Sequence, residues 1–208
     1  MNRSRTRQAA EKKTLVRPPT KDRVRDRIMR TASKLFYCRG IHAVGVDAIA
    51  SEAGTNKMSF YRNFGSKGEL VAEYLREAEA EAWEWWDKMV AEHAGDPRAQ
   101  VEALFGLLVE KTCTAESRGC ALANAAVEIT DSEHPARPII EKYKAEMRRR
   151  FRSLAREMCA RDPDALGDSL MLLWEGSYLS RLTSDSQHGP AENAVKGAQN
   201  LIAGMTQP

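Results

Sequence analysis

The chain has 208 residues, 42% of them hydrophobic and 29% charged, which is the composition of an ordinary globular protein with enough material for a sizeable buried core. No apolar run approaches the roughly 18 residues that a membrane span needs. The basic N-terminal segment is also not followed by the apolar stretch of a secretory signal. Composition therefore argues against an integral membrane protein, and we expect a cytoplasmic location.

Charge is distributed unevenly along the chain. The first 70 residues contain 16 Lys and Arg against 6 Asp and Glu, a net charge of +10, whereas the remainder carries −7. A basic head on an acidic body is typical of a polyanion-binding domain attached to a domain that avoids polyanions. Charge alone leaves open a solvated basic face that has no partner.

The residues that could ligate metals or perform catalysis are scattered. The four cysteines and four histidines share no metal-ligand or disulfide spacing; they are Cys38, Cys113, Cys120, Cys159, His42, His93, His134 and His188. No His-x-x-x-His, Gly-x-Ser-x-Gly or P-loop pattern occurs. We therefore expect no metal, no cofactor and no enzymatic activity.

The order of elements predicts an all-α fold. Residues 1–19 are basic and have too few apolar side chains to offset the entropy of ordering, so they are predicted to form a disordered arm. From Thr20 onward apolar residues recur at helical spacing, and no run predicts a strand. Ser66 and Glu69 form a capping box at the start of a long helix. Nine helices are predicted, the later ones near 97–115, 119–130, 135–161, 163–184 and 190–204.

A helix-turn-helix is predicted between Gly45 and Phe64. Gly54 lies where the chain must turn sharply, and Asn56 can cap the following helix. Phe60 and Phe64 lie one turn apart and are expected to point into the core. The outer surface then carries hydrogen-bonding side chains suited to a DNA major groove, namely Lys57, Ser59, Tyr61, Arg62 and Asn63.

This region resembles the TetR (tetracycline repressor) family over about residues 22 to 75. The motifs are Phe36-x-x-x-Gly40, Val46-x-x-Ile49-Ala50-x-x-Ala53-Gly54 and Phe60-Tyr61-x-x-Phe64-x-Ser66-Lys67-x-x-Leu70. The resemblance implies an N-terminal three-helix helix-turn-helix domain over 20–66 and a larger C-terminal helical domain over 67–208 that binds an effector and dimerises. It also implies a DNA operator, a small-molecule effector and a homodimer as partners.

The resemblance assigns roles to individual residues. Tyr61 and Lys67 match the phosphate-contacting tyrosine and lysine of the family, which set register without reading sequence. Lys57 or Arg62 is expected to contact base edges. Asn63 faces either DNA or a local capping partner, and both remain open. Thr55 and Asn56 complete the predicted DNA-binding set.

Two residues depart from the family pattern. Gly45 stands where the family usually has a Ser or Thr cap with a phosphate contact, so one DNA contact is expected to be missing. Met58 stands where a small residue is common. Operator preference therefore cannot be transferred from relatives.

The C-terminal domain offers candidate pocket and interface residues. Apolar bulk combined with a few polar groups suggests these ligand-pocket residues: Trp83, Trp86, Phe105, Asn124, Glu128, Met147 and Trp174. Apolar stripes on the last two helices predict a four-helix dimer interface that includes Leu170, Leu173, Trp174, Tyr178, Val195, Leu201 and Ile202.

The predicted function is a ligand-responsive regulator, most simply a repressor that a small molecule releases from a palindromic operator. Ligand binding would move the long helix that begins at Ser66 and so change the separation of the two recognition helices. Two alternatives remain: a protein that binds and compacts DNA without sequence preference, and an oxidant or electrophile sensor. The sensor would act through Cys120, because the segment from Arg118 to Glu128 resembles a branch of the family in which a cysteine there responds to oxidants.

Overall fold

The structure is a computed structural model that describes residues 23–112, 117–184 and 189–206. Within these ranges the chain forms helices and no strand, which confirms the all-α prediction. The α-helices are α1 (Val24–Arg39), α2 (Val46–Glu52), α3 (Lys57–Asn63), α4 (Lys67–Glu92), α5 (Pro97–Thr112), α6 (Ala121–Glu128), α7 (Arg137–Glu157), α8 (Pro163–Thr183) and α9 (Ala194–Thr206). The predicted arm over 1–19 lies outside the described residues.

Local sequence explains where several helices begin. The side chains of Asp96 and Asp162 accept hydrogen bonds from the amides of Ala99 (3.0 Å) and Ala165 (2.9 Å), and each aspartate is followed by proline. Both features favour a helix start, because the cap satisfies an orphan amide and proline lacks one. Pro190 behaves differently: it begins a 3-10 turn, Pro190–Asn193, that leads into α9.

Helix α7 ends four residues before the predicted position 161. Cys159 has φ +54, in the left-handed region, and the Ala160 amide donates back to the Ala155 carbonyl at 3.2 Å. This backbone reversal closes the last turn, so the helix stops at Glu157 although the apolar periodicity continues.

The first three helices enclose a small core that also includes the start of α4. Ile28, Ile49, Phe60 and Leu70 from these four helices have no exposed surface. Arg25 on α1 is paired with Glu73 on α4 at 2.7 Å, and its guanidinium lies 4.8 Å from the centroid of the Phe64 ring. The N-terminal unit is thus fixed to α4 by apolar packing and by an ion pair.

The C-terminal helices pack around an aromatic cluster centred on Trp174. Its ring meets those of Trp86, Phe105 and Phe151 at centroid distances of 5.4–5.8 Å in edge-to-face geometry. Helices α7 and α8 approach closely at Gly167, where an added Cβ would lie 2.6 Å from the Cα of Arg152.

This core corrects part of the pocket prediction. Trp86, Phe105, Met147 and Trp174 are at most 3% exposed, and none of them is among the residues that line the main cavities of the protein. These side chains are large and apolar because they form the core of the domain. Their size and apolarity in the sequence therefore indicated core packing and not a ligand pocket.

The interface prediction also needs correction. Leu170, Trp174 and Ile202 are at most 1% exposed in the protomer, so a partner could not reach them. Leu173, Tyr178, Val195 and Leu201 are half-buried against the same core. For Leu170, Trp174 and Ile202 the periodicity found the inward faces of α8 and α9, whereas an interface needs the outward ones.

In the part of the chain that the structure describes, no helix is both long and apolar enough to cross a bilayer. The same residues contain no group of three or more His, Cys, Asp or Glu side chains placed to hold a metal ion.

Candidate nucleic-acid interface and internal cavity

Helices α2 and α3 form the predicted helix-turn-helix. At the end of α2 the Gly54 amide donates to the Ser51 carbonyl at 3.1 Å, and the Thr55 amide donates to Ala50 at 2.9 Å. Gly54 has φ +63, a conformation in which a Cβ is strained, so glycine suits this turn. Asn56 then accepts from the Ser59 amide at 2.9 Å and caps α3, as predicted.

Buried aromatic rings fix the orientation of α3. Phe60 has no exposed surface, and its ring centroid lies 5.9 Å from that of Phe64. Tyr61 lies edge-on to Phe60 at 5.3 Å but keeps 49% of its surface exposed. The side of α3 that lies away from Phe60 and Phe64 therefore faces outward, and it exposes the phenol of Tyr61.

The eight predicted DNA-binding residues share this surface or border it. Four of the eight are exposed, namely Asn56, Lys57, Tyr61 and Arg62. The other four are half-buried, namely Thr55, Ser59, Asn63 and Lys67.

Several of these side chains also make local contacts. Lys57 pairs with Asp47 at 3.1 Å, both side chains being more than half exposed. Arg62 donates to the sulfur of Met58 at 3.3 Å, and the Asn63 amide donates to the Ser59 carbonyl at 2.7 Å. Exposed pairs of this kind contribute little to stability and exchange readily. The Asn63 bond is the local capping role that the sequence left open.

Lys67 lies at the junction between the N-terminal unit and the body. Burial lowers the pKa of its ammonium, and the nearby carboxylate of Glu128 opposes that shift. Lys67 therefore interacts electrostatically with Glu128 of α6, and it is also the predicted phosphate contact.

Helix α6 contacts the end of α1 at both of its own ends. Before α6, the Arg118 amide donates to the hydroxyl of Tyr37 at 2.9 Å, and that hydroxyl donates to the Gly119 carbonyl at 3.2 Å. At the other end, Glu128 accepts from the His42 amide at 2.9 Å, while its own carbonyl lies 2.6 Å from His42 Nε2. Sequence reasoning assigned Glu128 to a pocket and missed this second role.

A cavity of about 350 Å³ lies among α1, α4, α5, α6, α7 and α8. Four of the five tyrosines of the chain line it, and we call it the tyrosine cavity: Tyr37, Tyr74, Tyr143 and Tyr178. Trp85 and Cys120 complete much of the wall, with Glu81 and Lys111 also lining it. Sequence reasoning missed the tyrosines as a group, because they lie on four different helices.

The remaining pocket predictions fall around this cavity. Asn124 and Glu128 line a neighbouring cavity of about 240 Å³, which shares Tyr37 and Tyr74 with the tyrosine cavity. Trp83 lines a surface groove beside Arg150, whose guanidinium lies 4.2 Å from its ring centroid.

Cys120 is half-buried in the wall of the tyrosine cavity, beside Tyr143. Burial, followed by the influence of Cys120, raises the pKa of Tyr143 well above its usual range. The sensor role proposed for Cys120 stays a prediction.

Exposed leucines mark the outward face of α8. Leu172 is 70% exposed, Leu179 is 62% exposed and Leu182 is 43% exposed. Spacings of seven and ten residues put them on one side of the helix. Several exposed leucines on one side of a helix favour a contact surface there.

Comparison with known proteins agrees with this architecture. Residues 28–74 match the family model of bacterial regulatory proteins, tetR family. The repressor DhaR of Mycobacterium sp. strain GP1 is 24% identical over 173 residues, which span 75% of this chain and 81% of DhaR. The activator FasR of Mycolicibacterium smegmatis is 41% identical over 56 residues, 27% of this chain and 26% of FasR.

Solved structures extend the likeness to the whole fold. SCO4454, a TetR-family transcriptional regulator from Streptomyces coelicolor, superposes with a TM-score of 0.82 at 25% identity, covering 88% of this chain and 96% of SCO4454. The regulator sav143 from Streptomyces avermitilis gives a TM-score of 0.77 at 28% identity, covering 89% of this chain and all of sav143. The helix-turn-helix, the helical body and these likenesses together indicate a DNA-binding transcriptional regulator, with a tetR-family helix-turn-helix over residues 28–74 and the overall fold of TetR-family regulators.

Proposed function

We propose that this regulator is a dimeric repressor that a small molecule releases from a palindromic operator. The observation that carries the proposal is the composition of the tyrosine cavity, in which Tyr37 of α1 and Tyr74 of α4 stand beside Tyr143 and Tyr178 of the body. A molecule bound there would touch the helices that frame the DNA-binding unit.

The exposed face of α3 supplies the DNA contacts. Lys57 and Arg62 are exposed donors that suit base edges, while Tyr61 and Lys67 suit phosphate oxygens. Thr55, Asn56, Ser59 and Asn63 lie close enough to add contacts at the turn and along the helix. The pairs that Lys57 and Arg62 now make are exposed, so exchanging them for DNA contacts costs little.

The exposed leucines of α8 support dimerisation. We assign Leu172, Leu179 and Leu182 to the interface, together with the half-buried Leu173, Val195 and Leu201, whereas Tyr178 lines the tyrosine cavity. A two-fold dimer pairs the same surface on both protomers and presents two α3 helices, so its operator would be a palindrome with half-sites about one helical turn apart. Replacing Leu172 by glutamate is expected to shift the protein toward monomer in sedimentation velocity experiments.

The route from the cavity to DNA runs through α6 and α4. Tyr37 is both a wall residue and the hydrogen-bond partner of Arg118 and Gly119, so a ligand that displaces its ring strains the contact between α6 and α1. Glu128 transmits the same movement to the turn before α2 through His42. Helix α4 carries Tyr74 at the cavity and Lys67 at the DNA-binding unit, which fits the predicted shift of this helix.

The relatives favour a repressor over an activator. The protein that matches along 75% of this chain is named a repressor, whereas the one named an activator matches over 56 residues only.

Selection of operators from a random pool of duplex DNA tests the DNA-binding step. The purified full chain is expected to enrich a palindrome at both of two salt concentrations, and Tyr61→Ala is expected to lose it. Lys57→Ala should weaken binding, while Lys142→Ala, which removes an exposed lysine of the body, should not. Binding that depends wholly on salt and enriches no sequence would favour compaction instead.

Release by a ligand tests the second step. A compound that binds the tyrosine cavity should lower the affinity for the selected operator, and Glu128→Ala should reduce that effect more than it reduces ligand binding. A bound compound that leaves operator affinity unchanged would refute the release mechanism.

A further inference from the structure

We propose that the tyrosine cavity takes a planar aromatic molecule that is uncharged within the cavity and carries a hydrogen-bond-accepting oxygen. The proposal rests on the proposed function only in treating the cavity as the effector site. Its chemistry is argued from the wall itself.

The wall is aromatic, and its rings are held in place. Trp85 stacks on the buried Trp174 at a centroid distance of 5.7 Å and an interplanar angle of 18°. Tyr143 is held by the ring of Trp83 at 4.9 Å, and Tyr178 meets Trp174 edge-on at 5.9 Å. Fixed rings on several sides favour a flat aromatic guest, because stacked and edge-to-face contacts add to the energy of burial.

Small residues leave room beside these rings. Ala78 and Ala82 lie on the α4 wall, about two turns and one turn before the bulky Trp85. The space of about 350 Å³ is within the range of small-molecule sites and suits a molecule of a few fused rings.

The tyrosine hydroxyls define where an acceptor must lie. The hydroxyl of Tyr37 is already bonded to Gly119 and Arg118, and Tyr143 lies beside the Cys120 thiol. Among the described residues, the hydroxyls of Tyr74 and Tyr178 have no such partner. Burial raises the pKa of both phenols, so both stay protonated and can donate. A carbonyl, ether or hydroxyl oxygen on the ligand would satisfy them.

The charges of the wall lie at its exposed edge. Glu81 and Lys111 are exposed residues of opposite sign, and the Lys111 ammonium lies 5.0 Å from the centroid of the Trp85 ring. The deeper wall holds phenols, a thiol and apolar side chains. An ionised group on the ligand would lose its hydration there without a partner, so the part of the ligand inside the cavity is uncharged.

Calorimetric titration of the full chain with three probes tests this assignment. The probes are 2-acetylnaphthalene, which has both features, naphthalene, which lacks the acceptor, and cyclohexyl methyl ketone, which lacks the aromatic plane. We expect 2-acetylnaphthalene to bind about tenfold more tightly than either of the others. Equal binding of the cyclohexyl ketone, or no binding of any probe, would overturn the proposal.

Conservative variants locate the acceptor. Tyr74→Phe and Tyr178→Phe should each weaken binding of 2-acetylnaphthalene about tenfold and leave naphthalene binding unchanged. Ser180→Ala is the matched control, since it also removes a hydroxyl from α8, one that donates to the Ser177 carbonyl and does not line the cavity; it should change the affinity less than about twofold. Circular dichroism melting of each variant shows that the fold is retained. Affinity that is indifferent to both Tyr74 and Tyr178 would overturn the assignment.

Operator release, measured separately by fluorescence anisotropy, distinguishes this proposal from the proposed function. Binding in the expected pattern without release would leave the ligand class standing and refute the release mechanism. Release by 2-acetylnaphthalene that persists unchanged in Tyr74→Phe and Tyr178→Phe would support the function and refute the ligand assignment.

Discussion

Replacing Gly167 by alanine should destabilise the protein although alanine is the better helix former. The new Cβ would lie 2.6 Å from the Cα of Arg152 and 2.7 Å from its backbone nitrogen. Backbone atoms cannot rotate aside, so α7 and α8 would have to separate. Overpacking at the upper end of its usual range costs about 3 kcal/mol, and the gain in helix propensity returns about 1 kcal/mol. We expect the free energy of unfolding to fall by about 2 kcal/mol.

Gly106→Ala is the matched control for this prediction. Gly106 lies within α5, and an added Cβ there would meet nothing within 4 Å. Its replacement should raise the free energy of unfolding by about 0.5–1 kcal/mol. Urea denaturation followed by circular dichroism measures both variants, at one fixed protein concentration because dimerisation makes stability concentration-dependent. The packing argument would be refuted if Gly167→Ala raised the free energy of unfolding, or if both variants changed it in the same direction.

Three further predictions follow from single contacts. A hydrogen bond from Arg149, and then one from Arg150, lowers the pKa of Glu146 from 4.5 to about 2 although burial opposes the shift. Its stabilising contribution is therefore present above pH 4.5 and is lost as the pH falls toward 2, so Glu146→Gln should flatten the acid limb of a stability–pH profile; an unchanged limb would contradict this. Asn56→Ala should lower the free energy of unfolding by about 1 kcal/mol, since it removes the cap on α3. Asn56→Asp should keep the cap and the stability, yet bind operator DNA less tightly because it adds a negative charge. If Asn56→Asp loses as much stability as Asn56→Ala, the cap is not the cause of the loss. Asp47→Ala should change stability by less than about 0.5 kcal/mol, because its pair with Lys57 is exposed, and should strengthen DNA binding by removing a negative charge. Chemical denaturation and anisotropy titrations decide the last two, and weaker DNA binding by Asp47→Ala would count against the assigned surface.

Local sequence determined much of this protein. Gly54, Asn56 and the Phe60–Phe64 pair define the turn, the cap and the inward face of α3, because each acts within a few residues of its own position. The aspartate–proline pairs before α5 and α8 likewise fixed two helix starts. Apolar periodicity was sufficient for the all-α fold.

Tertiary packing decided which apolar side chains form core, cavity or surface. Periodicity shows that a helix has an apolar face but not what covers it, so Trp174 and Leu170 are core whereas Leu172 and Leu179 of the same helix are exposed. Tyr37 and Tyr178 are 141 residues apart in the chain, and only the fold brings them to one cavity. Glu128 contacts His42 for the same reason, because the packing of the C-terminal helices positions α6 next to the end of α1. Contacts between residues distant in sequence depend on the whole fold, and no short pattern records them.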